Sequence, residues 1–139
     1  MSLSSVRPLA RQILDGLGYS EWTDGFNSEN IPSTILDGTY FLNIGSISAS
    51  AANQATHEFD YPLEIRLFFK GYRDPREAID AAVSQSDNII GGFLTESVRL
   101  TQEIRDITLT SLNFEPLDAS NDNSIIVVFN FSFKILNCY

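Results

Sequence analysis

Residues 59–70 read Phe59-Asp60-Tyr61-Pro62-Leu63-Glu64-Ile65-Arg66-Leu67-Phe68-Phe69-Lys70. Phe59, Tyr61, Leu63, Ile65, Leu67 and Phe69 alternate with Asp60, Pro62, Glu64, Arg66, Phe68 and Lys70. A period of two over this length specifies a β-strand with one face in a core and the other toward water. Pro62 has no N–H to donate to a ladder, so it predicts an edge strand or a strand start. The rest of the chain is then read as what pairs with this strand or packs on its apolar face.

Downstream, Gly71 turns the chain into Asp74-Pro75-Arg76-Glu77. An Asp cap, a Pro at the first helical position and a Glu in the first turn form a helix start. Ala78, Ile79, Ala82, Val83, Ile89, Ile90, Phe93 and Leu94 give that helix an apolar side. Ser86-Asp87-Asn88 and Gly91-Gly92 predict a bend or a restart within it. Two strands follow, near Ile104 to Glu115 and Ser124 to Leu136, joined by a hairpin loop over residues 118–123. In the last strand Ile125, Val127, Phe129, Phe131, Phe133 and Ile135 share one face, with Asn130, Ser132 and Lys134 on the other.

Upstream, Leu3, Val6, Leu9, Ala10, Ile13, Leu14 and Leu17 recur at helical spacing, with Ser2 or Ser4 as cap and Gly16 or Gly18 as stop. Pro8 confines the start to about Arg7. Residues 19–36 are irregular, with Trp22 and Phe26 expected against the sheet. Thr39 to Ile47 reads as a strand. Residues 45–57 are small and polar, including Ser48, Ala49, Ser50, Asn53 and Gln54. They predict a mobile loop, because nothing in them buries apolar surface. The expected fold is a single α+β domain over residues 1–139. Its order is α-β-β-α-β-β, a four-stranded, mainly antiparallel sheet with both helices on one face.

The 139 residues suit one domain, and 43% hydrophobic against 19% charged residues excludes a disordered chain. Ten Phe and five Tyr favour a sheet. The net charge of -9 opposes binding to nucleic-acid phosphates and to anionic membranes. The charge is segregated. Gln12 to Ile65 holds eight acids (Asp15, Glu21, Asp24, Glu29, Asp37, Glu58, Asp60, Glu64) and no base, which leaves ten of the eighteen acids beside all nine bases. One surface is therefore expected to carry most of the negative potential. The lone Cys138 permits no internal disulfide and fits a reducing compartment such as a bacterial cytoplasm. No signal-peptide pattern and no membrane-spanning run is expected from the sequence.

The familiar catalytic patterns are not in the sequence. There is no GxSxG, HExxH, paired-cysteine spacing, Walker loop or GxGxxG. His57 stands alone at the end of the polar loop, and a hydrolytic triad needs a nucleophile and an orienting acid beside it. Asp118, Ser120 and Asp122 start like a calcium loop. Asn123 replaces its turn glycine, however, and Phe129 stands where the bidentate Glu belongs, so a hairpin turn accounts for them. Asn130-Phe131-Ser132 matches a glycosylation sequon but sits inside an expected strand. The expectation is a non-enzymatic protein with no cofactor and no metal.

Element order, size and the segment YPLEIRLFFKGYRDP at residues 61–75 carry a resemblance. From Val6 to Leu136 the chain resembles the lambda-like tail terminators, or tail-completion proteins, of long-tailed bacteriophages. The resemblance implies a virion protein made in the host cytoplasm. It implies a ring, six-membered in that family, that caps the tail tube, stops its growth and meets the neck proteins, while DNA passes without specific binding. On that implication Ser48, Ala49, Ser50, Asn53, Gln54, His57, Glu58 and Asp60 face the tube or the lumen, and Phe133, Ile135 and Tyr139 supply ring contacts. Three alternatives stay open: a head-tail connector or stopper subunit, a small enzyme or ligand-binding α+β domain, and a non-catalytic adaptor that binds by adding a strand at a sheet edge.

Overall fold

The computed structural model describes residues 3–22, 37–51, 56–69, 74–95, 104–116 and 124–138. The elements are a 3-10 turn Leu3–Ser5, α1 (Val6–Gly16), β1 (Ser20–Glu21), β2 (Thr39–Ile44), β3 (Ser48–Ala51), β4 (Thr56–Phe69), α2 (Pro75–Leu94), β5 (Asp106–Pro116) and β6 (Ile125–Cys138). The class is α+β, as expected. The sheet among the described residues has six strands rather than four, in the order β1-β2-β4-β6-β5, with β3 also on β4. The additions are β1, parallel to β2, and β3, antiparallel to the start of β4. Both are short and lack an apolar alternation, so hydrophobic periodicity does not announce them.

β4, which contains the alternating residues 59–69, is the centre of the sheet. β4 and β6 pair antiparallel in unbroken register over 14 residues, from Thr56 opposite Cys138 to Phe69 opposite Ile125. This register puts the odd residues of both strands on one face. Tyr61, Leu63, Ile65, Leu67 and Phe69 join Val127, Phe129, Phe131, Phe133 and Ile135 in one buried cluster with Val6, Leu9, Ala10 and Leu14 of α1 and Ala78, Ala82, Ile89 and Phe93 of α2. Both helices therefore lie on the same face. The Phe93 ring stacks on Phe131 with centroids 4.6 Å apart. On the opposite face Phe41 and Phe68 meet edge to face at 5.4 Å, and Trp22 packs against them. Phe26 lies outside the described residues.

Pro62 sits in the middle of this central strand, not at an edge or a start. Its carbonyl accepts from the Gly45 N–H at 3.1 Å, so its nitrogen faces the same side, away from β6. On that side the register breaks. Ile44 is opposite Leu63 and Ser48 is opposite Asp60, so three residues of one strand face two of the other. The missing donor falls in this bulge, where no regular ladder bond is required. A Cβ on Gly45 would come within 2.9 Å of Pro62 Cγ, which accounts for glycine there.

A second bulge shapes β5. Leu109 is opposite Phe131 and Ser111 is opposite Asn130, so Thr110 is the extra residue. The shift keeps Ile107, Leu109, Leu112 and Phe114 on the core face; unbroken alternation would turn Ser111 and Asn113 inward. Thr110 bonds the Asn130 carbonyl at 2.9 Å.

α1 is capped at Ser5, whose side chain makes no capping bond, rather than by Ser2 or Ser4; Pro8 falls in the first turn, and the helix gives way at Gly18 with φ +95. α2 runs unbroken through the expected bend. Ser86 is buried there because its hydroxyl bonds the Ala82 carbonyl one turn back at 2.7 Å. Asp74 caps it, accepting from the Arg76 N–H at 3.0 Å. The turn at Gly71 and the hairpin loop at 118–123 lie outside the described residues.

Tyr40 is fully buried and donates to Asp15 at 2.8 Å, tying β2 to α1. Burial first, then the hydrogen bond and charge of Asp15, pushes its phenol far above the ordinary value near 10. The folded state thus holds this proton more tightly than the unfolded chain. Its stabilisation is full below pH about 10 and is lost as pH rises beyond that.

Two outcomes follow. Phe131→Ala should cost about 3–5 kcal/mol in urea unfolding, through lost burial and a cavity under Phe93. Tyr40→Phe should cost roughly 1 kcal/mol at pH 8. It should also reduce the fall in stability between pH 9 and about 11, measured as the urea midpoint.

Candidate interaction surface

The residues expected to form a site gather at one end of the sheet, where β3, the start of β4 and the end of β6 lie side by side. Ser48, Ala49, Ser50 and Ala51 stand opposite Asp60, Phe59, Glu58 and His57. Residues 48–51 thus form a strand and not a loop: Ser and Ala bury little, but backbone bonding to β4 needs no apolar side chain. All four are exposed. Asn53, Gln54 and Tyr139 lie outside the described residues.

The acids here are engaged locally. Glu58 accepts from Arg105, and Asp60 accepts from Ser132 on the neighbouring strand. Arg105 in turn is fixed by its N–H to the Lys134 carbonyl, 3.0 Å away. Across the outer face Lys134 is opposite both Asp60 and Asp106. His57 points with Phe59 to the helix side, their ring centroids 6.4 Å apart. Such exposed pairs contribute about 0–1 kcal/mol each, so they orient side chains more than they hold the fold.

Phe133 and Ile135 are 0% exposed and belong to the core, so they do not offer a contact surface. Period-two alternation had placed them on the apolar face; the helical layer then covers that face as far as Ile135. The same alternation puts Leu136 outward, and it is 42% exposed. With Ile44 and Ile47 it supplies the exposed apolar groups at this end of the sheet. Leu136 was legible as the next outward residue after Lys134. Ile44 and Ile47 were not, because their exposure depends on where the helices stop.

Among the described residues no group of three or more His, Cys, Asp or Glu is placed to hold a metal ion. No helix among them is long and apolar enough to cross a membrane. No protein-family model and no curated protein matches the chain.

Leu136→Asp should change unfolding free energy by less than about 0.5 kcal/mol. Phe133→Asp, three residues away in the same strand, should prevent stable folding by burying an unpaired charge. Thermal unfolding followed by circular dichroism distinguishes these outcomes.

Proposed function

We propose that this chain is a structural assembly subunit that caps a bacteriophage tail tube as a ring, stops tube growth and presents a surface for joining tail to head. One observation carries the reading. The sheet ends in two edges on opposite sides, β1 and β3 on one and β5 on the other. Among the described residues β3 pairs only with β4, and β5 only with β6. Two unlike edges on opposite sides suit head-to-tail contact, which closes into a ring when the rotation permits. The exposed β3 has no charge or proline to discourage pairing. The net charge of -9 suits a wall that repels DNA and lets it slide, although Glu21, Glu58 and Glu64 on the β3 side are paired with Arg11, Arg105 and Arg66. The resemblance at residues 61–75 supplies the identity of the tube.

A non-catalytic adaptor that adds a partner strand along β3 shares the edge observation. Electron microscopy separates the two. Tubes grown from the tube subunit encoded in the same genome should carry labelled protein at one end only and stop growing there. A variant lacking residues 48–55 should remain folded by circular dichroism and fail to cap. Label absent from tube ends, or normal capping by the deletion variant, would overturn the respective assignments.

A further inference from the structure

Strand directions fix how the two edges of the sheet can meet. β3 is antiparallel to β4, β4 to β6 and β6 to β5, so β3 and β5 run in opposite directions. A second copy shifted across the sheet, without turning over, sets its β3 antiparallel beside β5. Both helical layers then lie on the same side of one continuous sheet. Among the described residues the column outside β3 is open: β1 occupies it beside β2, at Thr39 and Tyr40, and not beside β3.

The side chains select a register. Ala49 and Ala51, opposite Phe59 and His57, stand on the helix side of β3, with Ser48 and Ser50 on the outer side. Beyond the bulge at Thr110, β5 has Leu112, Phe114 and Pro116 on the helix side, opposite Phe129, Val127 and Ile125. Asn113 and Glu115 stand on the outer side. Directly opposed residues share a face. Only one face-matched register keeps all four residues of β3 within β5 and clear of the bulge. It sets Ser48 against Glu115, Ala49 against Phe114, Ser50 against Asn113 and Ala51 against Leu112. Small meets large on the helix side, and a hydroxyl meets a carboxylate or an amide on the outer side. No like charges oppose one another, because β3 carries no charge and β5 none from Ile107 to Phe114. One pair further, Ile47, 40% exposed, comes against Pro116 in the row of Ile125. A cavity of about 270 Å³ lies there, between Ala78 and Ile79 in the first turn of α2 and Phe114 and Ile125 of the sheet. Ile79 and Phe114 are 50% and 37% exposed, and Gln85 and Gly92 turn the other flank of α2 to α1, so the cavity opens at the β5 edge.

We propose that β3 of one copy pairs antiparallel with residues 112–115 of β5 in the next copy, and that Ile47 of the first copy seats in the cavity beside Phe114 of the second. The inference rests on the head-to-tail contact proposed above and names its strands, its register and its anchor; it does not depend on the tail tube.

The test uses the full chain with Cys138→Ser, carrying either Ser50→Cys or Asn113→Cys. Both positions are exposed, so neither change should move the melting temperature. The two proteins are mixed and oxidised, both in concentrated solution and on capped tube ends. Opposed Cβ atoms in such a pair lie about 4.5–5.5 Å apart, close to disulfide range. The mixture should yield a linked dimer containing one of each. Ser48→Cys mixed with Asn113→Cys, two residues out of register, should yield roughly fivefold less or lower. Ile47→Asp, also at an exposed position, should remove most of the link between positions 50 and 113 while the melting temperature holds. An undiminished link in that variant would overturn the cavity seat. Caps that form without the link would overturn the strand pairing and leave the tail reading standing. The link in solution without caps would overturn the tail reading and leave the pairing standing. Neither link nor caps would overturn both. Links mainly between two copies of position 50 would show β3 pairing with β3, and would overturn the proposal.

Discussion

The pairing of β4 with β6 is the constraint from which the other contacts follow. Fourteen successive residue pairs hold one register, and that register alone gathers Tyr61, Leu63, Ile65, Leu67 and Phe69 on the same face as Phe129, Phe131 and Phe133. A slip by one residue would turn one of these sets to water. With the register held, the aromatic rings form a surface on which Phe93 seats α2, and Tyr40 reaches Asp15 to fasten α1. Much of the stability of a domain of this size comes from burying such a face; the hydrogen bonds chiefly avoid leaving polar groups unpaired.

Both bulges can be understood as solutions to a conflict between local chemistry and this register. Pro62 has no donor, and Gly45 admits its ring where β2 gives way to β3. In β5 the apolar residues shift phase between Leu109 and Leu112, and Thr110 absorbs the shift. Each bulge also shapes a surface. The first separates the exposed β3 from β2, and the second keeps Phe114 on the helix side, where it lines a cavity with Ile79.

The two surfaces differ in the kind of partner they suit. Along β3 the free groups are backbone, and side chains are small, so contact there is strand to strand. Along α2 and β5 the exposed groups are apolar side chains, Ile79 and Phe114, beside a cavity, so contact there is side chain into cavity. They lie on opposite sides of the sheet, and a subunit of this design can use both at once.

The sequence by itself determined the elements that advertise themselves through apolar periodicity. Alternation over residues 59–69 and 125–135 specified two long strands and their buried faces, and Asp74-Pro75 marked the start of α2. The phase shift from Leu109 to Leu112 came from the structure, since the sequence reading gave that strand only its bounds. Only tertiary structure decided the rest. β1 and β3 are strands because a neighbouring backbone accepts and donates to them, a property that Ser-Ala-Ser-Ala cannot encode alone. Pro62 is central because the break in its neighbour's register lies opposite it. Phe133 is core and Val83 is surface because the helices cover that end of β6, while the flank of α2 that carries Val83 has no element packed over it among the described residues. Periodicity states which side of an element is apolar; the number and placement of covering elements decides whether that side is buried.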